Sequence, residues 1–118
     1  MKKILLVEDH ADTRVVLAMS LTSAGYDVVT AKDACEAMDI AVHEPIDLII
    51  SDVGLPGCDG LTLLKKIHSA YHIPGISMSG FSSYEGGEAS REAGCAGHLV
   101  KPLDFDLMLG MISETLHN

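Results

Sequence analysis

Five side chains, widely separated along the chain, are suited to cation and phosphate chemistry: Glu8 and Asp9, side by side, then Asp52, Ser79 and Lys101. Each follows a short apolar run: "ILLV" precedes the acid pair, "LIIS" precedes Asp52, "GISM" precedes Ser79 and "GHLV" precedes Lys101. Two adjacent acids at the end of a buried strand repel each other and resist desolvation. A hard cation removes that penalty, and magnesium takes oxygen ligands while keeping several waters. An ammonium and a hydroxyl beside such a cation suit a phosphoryl group. A carboxylate among them can act as the nucleophile and form an acyl phosphate.

Such a cluster requires elements that carry each residue to one place. The apolar runs and their punctuation predict strands over Lys3–Val7, Asp27–Thr30, Leu48–Ser51, Gly75–Met78 and Gly97–Val100. Between them lie predicted helices over Asp12–Ala24, Asp33–His43, Gly60–Ser69, Ser83–Ala93 and Asp104–Leu116. Asp12, Asp33 and Asp104 stand where helix N-caps belong, and Gly25 stands where a helix stops. Strict alternation of strand and helix predicts an α/β fold, a doubly wound parallel sheet with helices on both faces. The carboxyl ends of such strands share one edge, where ligands bind. A lone strand-end Asp is usually a turn former or a cap, and a lone Lys-Pro is usually a loop. The signal is that all of them fall at the carboxyl ends of the right strands.

Composition narrows the function. A chain of 118 residues with 47% apolar content has the size and core of one domain, and with the last predicted helix at its end no output domain is expected. A net charge of −9 without a basic patch argues against direct nucleic-acid binding. No apolar stretch approaches the ~20 residues of a membrane span, and no signal peptide is recognisable. Cys35, Cys58 and Cys95 form an odd set without paired spacing, which points to free thiols in a reducing cytosol. Met19, Met38, Met78, Met108 and Met111 are expected to fill the core.

The pieces "LLVEDH", "DLIISDVGLPGCDG", "ISMSGF" and "HLVKP" occur in that order, and with them the whole chain resembles the receiver domain of two-component response regulators. The resemblance implies a five-stranded parallel sheet of order 2-1-3-4-5, a flavodoxin-like arrangement. It implies that Asp52 is the phosphoacceptor and that Glu8, Asp9, Asp52 and the carbonyl of Gly54 bind magnesium (or manganese). It further implies that Ser79 and Lys101 engage the phosphoryl group. The donor would be a sensor histidine kinase or a histidine phosphotransfer protein. The response would be a changed surface around the fourth helix, fifth strand and fifth helix, read by a protein target that the sequence does not name. Gly54 and Phe81 would flank the acyl phosphate; neither offers a polar anchor for an attacking water, so slow self-hydrolysis is expected.

Two features depart from the family pattern. His98 stands where a Tyr or Phe switch residue is common, so its state would depend on pH. Gly86 and Gly87 fall inside the fourth predicted helix, each at a cost of roughly 1 kcal/mol relative to alanine. Competing classes fit less well. An aspartate-nucleophile phosphatase of the haloacid dehalogenase type needs a second Asp two residues after the first, where Gly54 stands. A flavin carrier needs a phosphate-binding first loop, where Glu8 and Asp9 would repel one. A receiver module excised from a hybrid histidine kinase or a larger regulator fits as well as a free-standing chain.

Overall fold

Alternation along each strand divides the core into two halves. In β1 (Lys3–Val7), Ile4 and Leu6 face one side of the sheet and Leu5 and Val7 face the other, all fully buried. The same period runs through β3 (Leu48–Asp52), where Leu48 and Ile50 join the first half and Ile49 joins the second. A strand buried on both faces must be apolar on both, which is why these runs lack polar alternation. Each fully buried aliphatic side chain contributes roughly 1.5–3 kcal/mol of burial.

The computed structural model describes residues 1–80 and 90–117. The remaining main strands are β2 (Asp27–Ala31), β6 (Gly75–Ser79) and β7 (Gly97–Val100). Together the five form one parallel sheet in the order β2-β1-β3-β6-β7. Counting only strands of that sheet, this is the expected order 2-1-3-4-5. Helix α1 (Ala11–Ser23) and the C-terminal helix α4 (Phe105–His117) cover the Ile4 side through Leu17, Leu21, Met108 and Ile112. Helices α2 (Ala34–His43) and α3 (Gly60–Tyr71) cover the Leu5 side through Ala37, Ala41, Leu63, Leu64 and Ile67. No helix among the described residues is long and apolar enough to cross a membrane.

Several local expectations change. Asp12 does not cap α1: the N-cap is His10, whose side chain makes no capping bond. The carbonyl of His10 already accepts from the Arg14 N–H at 2.9 Å, so Asp12 sits inside the first turn. There its charge complements the positive end of the helix. Met19 is not a core residue; it is 66% exposed on α1, because Leu17 and Leu21 already occupy the buried stripe. The segment after Asp52 is a small antiparallel ribbon, β4 (Gly54–Leu55) with β5 (Cys58–Asp59). A Pro56-Gly57 turn closes it, with positive φ (72°) at Gly57. Asp33 caps α2 as expected, accepting from Glu36 N–H at 2.8 Å, and Asp104 accepts from Leu107 N–H at 3.1 Å. Of the fourth predicted helix, residues 90–92 are helical. Phe81, Gly86 and Gly87 lie outside the described residues.

Candidate functional site

The register of the sheet brings the strand ends level. Val7 pairs with Ser51, Asp52 with Met78, and Ser79 with Val100. Main-chain bonding continues past the strands, from Val53 N–H to the Met78 carbonyl at 2.8 Å and from Lys101 N–H to the Ser79 carbonyl at 2.7 Å. The bases of Glu8, Asp52, Ser79 and Lys101 are thereby fixed along one edge. The start of α3 presses on that edge: a Cβ at Gly60 would collide with the Asp52 carbonyl oxygen, so only glycine fits there. The Lys101–Pro102 peptide bond is cis.

Lys101 joins two carboxylates. Its Nζ lies 2.7 Å from Glu8 Oε1 and 2.7 Å from Asp52 Oδ2. Glu8 is fully buried and Asp52 nearly so. Unpaired, either carboxylate would carry a large desolvation cost. Burial works against the lysine charge, but the hydrogen bonds it donates to Asp52 and Glu8, with their negative charge, outweigh it and hold the Lys101 pKa above its ordinary value.

The other carboxylate oxygens are used unequally. Glu8 Oε2 accepts from His10 N–H at 3.1 Å and lies 3.2 Å from His10 Nδ1. Asp52 Oδ1 accepts from Gly54 N–H at 3.1 Å. Among the described residues, Asp9 Oδ1 is buried and has no hydrogen-bond partner. His10 Nδ1 comes within 3.4 Å of it, but its hydrogen bond goes to Glu8 instead. Ligand atoms of Glu8, Asp9, His10 and Asp52 all lie within 4.8 Å of one another. An orphaned buried oxygen amid clustered acids is a natural first ligand for a hard cation.

Ser79 stands at the same edge, yet its hydroxyl is turned to His98, 2.9 Å from Nε2. Gly54 enters through its N–H to Asp52. Glu8, Asp9, Asp52 and Lys101 thus form one cluster, with Ser79 and His98 beside it. Two further residues take part. His10 braces Glu8, and Arg14 donates from Nη1 to the Glu8 carbonyl at 2.8 Å. Adjacency to the acid pair was the available signal for His10. Arg14 gave none, because its reach depends on where α1 begins.

The response regulator receiver domain model matches residues 4–113. The chain belongs to that family. Receiver domains are the phosphoacceptors of two-component signalling. The chain is similar to sporulation initiation phosphotransferase F of Bacillus subtilis, 32% identical over 116 residues, covering 98% of this chain and 94% of that protein. It is also similar to the response regulator protein FleR of Pseudomonas aeruginosa, 33% identical, covering 95% of this chain but 24% of FleR. Among solved structures, a CheY-like receiver domain protein from Methanospirillum hungatei is 30% identical with a TM-score of 0.92, covering 99% of this chain and 94% of that one. The chemotaxis response regulator CheY4 of Vibrio cholerae is 33% identical with a TM-score of 0.88, covering 98% and 99%. This receiver domain therefore spans a whole relative in one case and about a quarter of a relative in another.

Proposed function

We propose that Asp52 is the phosphoacceptor, and that residues 1–118 act as a single receiver domain charged by a phosphohistidine on a sensor kinase or a phosphotransfer protein. The observation that carries this reading is the Lys101 ammonium bridging Asp52 and Glu8 at 2.7 Å beside the orphaned Asp9 oxygen. Asp52 Oδ1 is oriented by the Gly54 N–H, and Oδ2 by Lys101. A carboxylate held at both oxygens is fixed for attack on an incoming phosphorus. Lys101 would stay charged throughout and offset the negative charge that gathers on the transferred group.

The donor set fits a divalent cation, all oxygen apart from His10. Asp9, Asp52 and the Gly54 carbonyl would hold magnesium directly, with Glu8, which is fully buried, acting through water. When bound, the metal supplies charge neutralisation for the phosphoryl group. The partner must approach the edge where Asp52 lies. There α1 presents Val16, more than half exposed, which lines a cleft with Lys101, Pro102 and Leu103. The response would be expressed at β7, α4 and the fourth predicted helix, and no turnover of a diffusible substrate is needed.

Incubation with acetyl phosphate and magnesium should add one phosphoryl mass, mapped to Asp52, and Asp52→Asn should abolish it. Undiminished labelling of that variant would overturn the assignment.

A further inference from the structure

His98 bridges two serines of β6. Its Nδ1 lies 2.6 Å from Ser77 Oγ and its Nε2 lies 2.9 Å from Ser79 Oγ. Ser77 in turn donates to Ser90 Oγ at 2.7 Å, and Ser90 donates to the Gly97 carbonyl at 3.4 Å. The carbonyl has no proton to give, and this sets the direction of the whole chain. Ser90 uses its proton on Gly97, and Ser77 uses its proton on Ser90. The Ser77 oxygen can then only accept, so His98 must carry its proton on Nδ1. Nε2 is left as a lone pair, and Ser79 must donate to it.

That direction matters for the proposed acceptor site. Facing Asp52, Ser79 has only lone pairs to offer, and a phosphoryl oxygen placed there finds no donor in that hydroxyl. One change frees the Ser79 proton without breaking any other bond in the chain. If Nε2 gains a proton from solvent, it donates to Ser79 Oγ, and the Ser79 O–H turns to the phosphoryl group. The Nδ1–H bond to Ser77 is untouched.

We propose that His98 is a positioning residue that withholds the Ser79 proton in the resting state and releases it, by taking a proton on Nε2, when Asp52 is charged. This rests on the reading of Asp52 as phosphoacceptor. In the resting state burial lowers the pKa of His98, so the ring is neutral. Among the described residues, the groups facing it are hydroxyls: Ser77 and Ser79 from β6, backed by Ser90 from the helical turn at 90–92. Cys95 beside Ser90 has its thiol pKa raised by burial and stays neutral, while Arg91 and Glu92 on that turn are exposed. Among the described residues no carboxylate or ammonium pairs with the ring, so the charged phosphoryl group is the new partner that stabilises an imidazolium. By linkage, charging Asp52 raises the His98 pKa, and acid favours the charged form by the same factor.

The test is two-bond proton–nitrogen NMR of the imidazole rings in the full chain. At neutral pH the resting protein should show His98 protonated on Nδ1 alone. With magnesium and beryllofluoride, an acyl-phosphate mimic, both ring nitrogens should move to imidazolium values and the apparent pKa should rise by at least one unit, a tenfold change. In Ser77→Ala the Nδ1 proton loses its acceptor; the ring should switch to the Nε2–H tautomer. Ser79 is then free, and the initial rate of acetyl phosphate labelling should rise about fivefold, the size of one neutral hydrogen bond. An Nε2–H tautomer in the resting parent, or a His98 spectrum unmoved by charging, would overturn the proposal. So would Ser77→Ala with parent tautomer and parent rate. Charging is checked separately by the phosphoryl mass at Asp52. Absence of that mass would overturn the acceptor reading and the release step with it, while the resting tautomer still decides the direction of the chain.

Discussion

Replacing Lys101 with methionine keeps most of the stem and removes one charge. The consequence can be worked from the burial of what remains. Glu8 is fully buried, and its Oε1 has Lys101 as its hydrogen-bond partner. Among the described residues, Asp52 keeps only the Gly54 N–H. Removing one member of a buried ion pair costs about 3–5 kcal/mol, because the other is left uncompensated. The Lys101 side chain is 26% exposed, so solvent already screens part of the attraction and the lower figure, about 3 kcal/mol, applies. At an unfolding entropy of about 2.1 cal/mol/K per residue, that lowers Tm by roughly 12 °C for this length. Thermal unfolding of Lys101→Met in a chelating buffer should show this loss. Excess magnesium should recover part of it, because the cation replaces the missing positive charge. Glu8→Gln placed in the Lys101→Met background should recover more, since a neutral amide does not suffer an unpaired buried charge. A fall below about 1 kcal/mol in chelator, with no recovery from Glu8→Gln, would refute the account of the site as a charge cluster held by one ammonium.

Asp9→Ala should weaken magnesium binding by calorimetry and remove most of the metal-induced stabilisation, which for the parent at 100 times its Kd amounts to about 2.7 kcal/mol and is read as a rise in Tm. Gly60→Ala should both destabilise the fold and suppress labelling of Asp52 by acetyl phosphate, because the new methyl group is driven into the Asp52 carbonyl; a variant with parent Tm and parent labelling would contradict that packing. Gly54→Asn should shorten the life of the phosphoryl label, since a Cβ there has ordinary contact with Asp52 Oδ1, at 3.9 Å, and the amide can hold a water; decay is followed as loss of label over time in magnesium.

The sheet was legible in the sequence because its central strands are buried on both faces. "ILLV" and "LIIS" cannot lie anywhere else in a small α/β domain, and each ends in acids that the sheet edge collects. The acid cluster followed from those strand ends, and Lys101 from the separate run "GHLV" that precedes it. Features fixed by contact between distant elements were not legible. Met19 looks like any core methionine until Leu17 and Leu21 are seen to occupy the buried stripe of α1. The ribbon at Gly54–Asp59 is two residues per strand, too short to leave a period. His98 was visible as a departure, but its two serine partners lie 21 and 19 residues away in sequence and meet it only through the pairing of β6 with β7.

The strands that carry the site differ in how firmly they are held. β3, which bears Asp52, has a paired neighbour on each side and is buried throughout. β7, which bears His98 and leads into Lys101, pairs only with β6 among the described residues and is half exposed at Val100. In hydrogen exchange, amides of β3 should therefore open only with the whole molecule, whereas β7 can detach as a local unit. Detachment of β7 withdraws the ammonium from Glu8 and Asp52 together and leaves the two carboxylates facing each other. Charge at the centre of the sheet thus sets how tightly its rim is closed, and a phosphoryl group on Asp52 would change that closure without any movement of the strand that carries it.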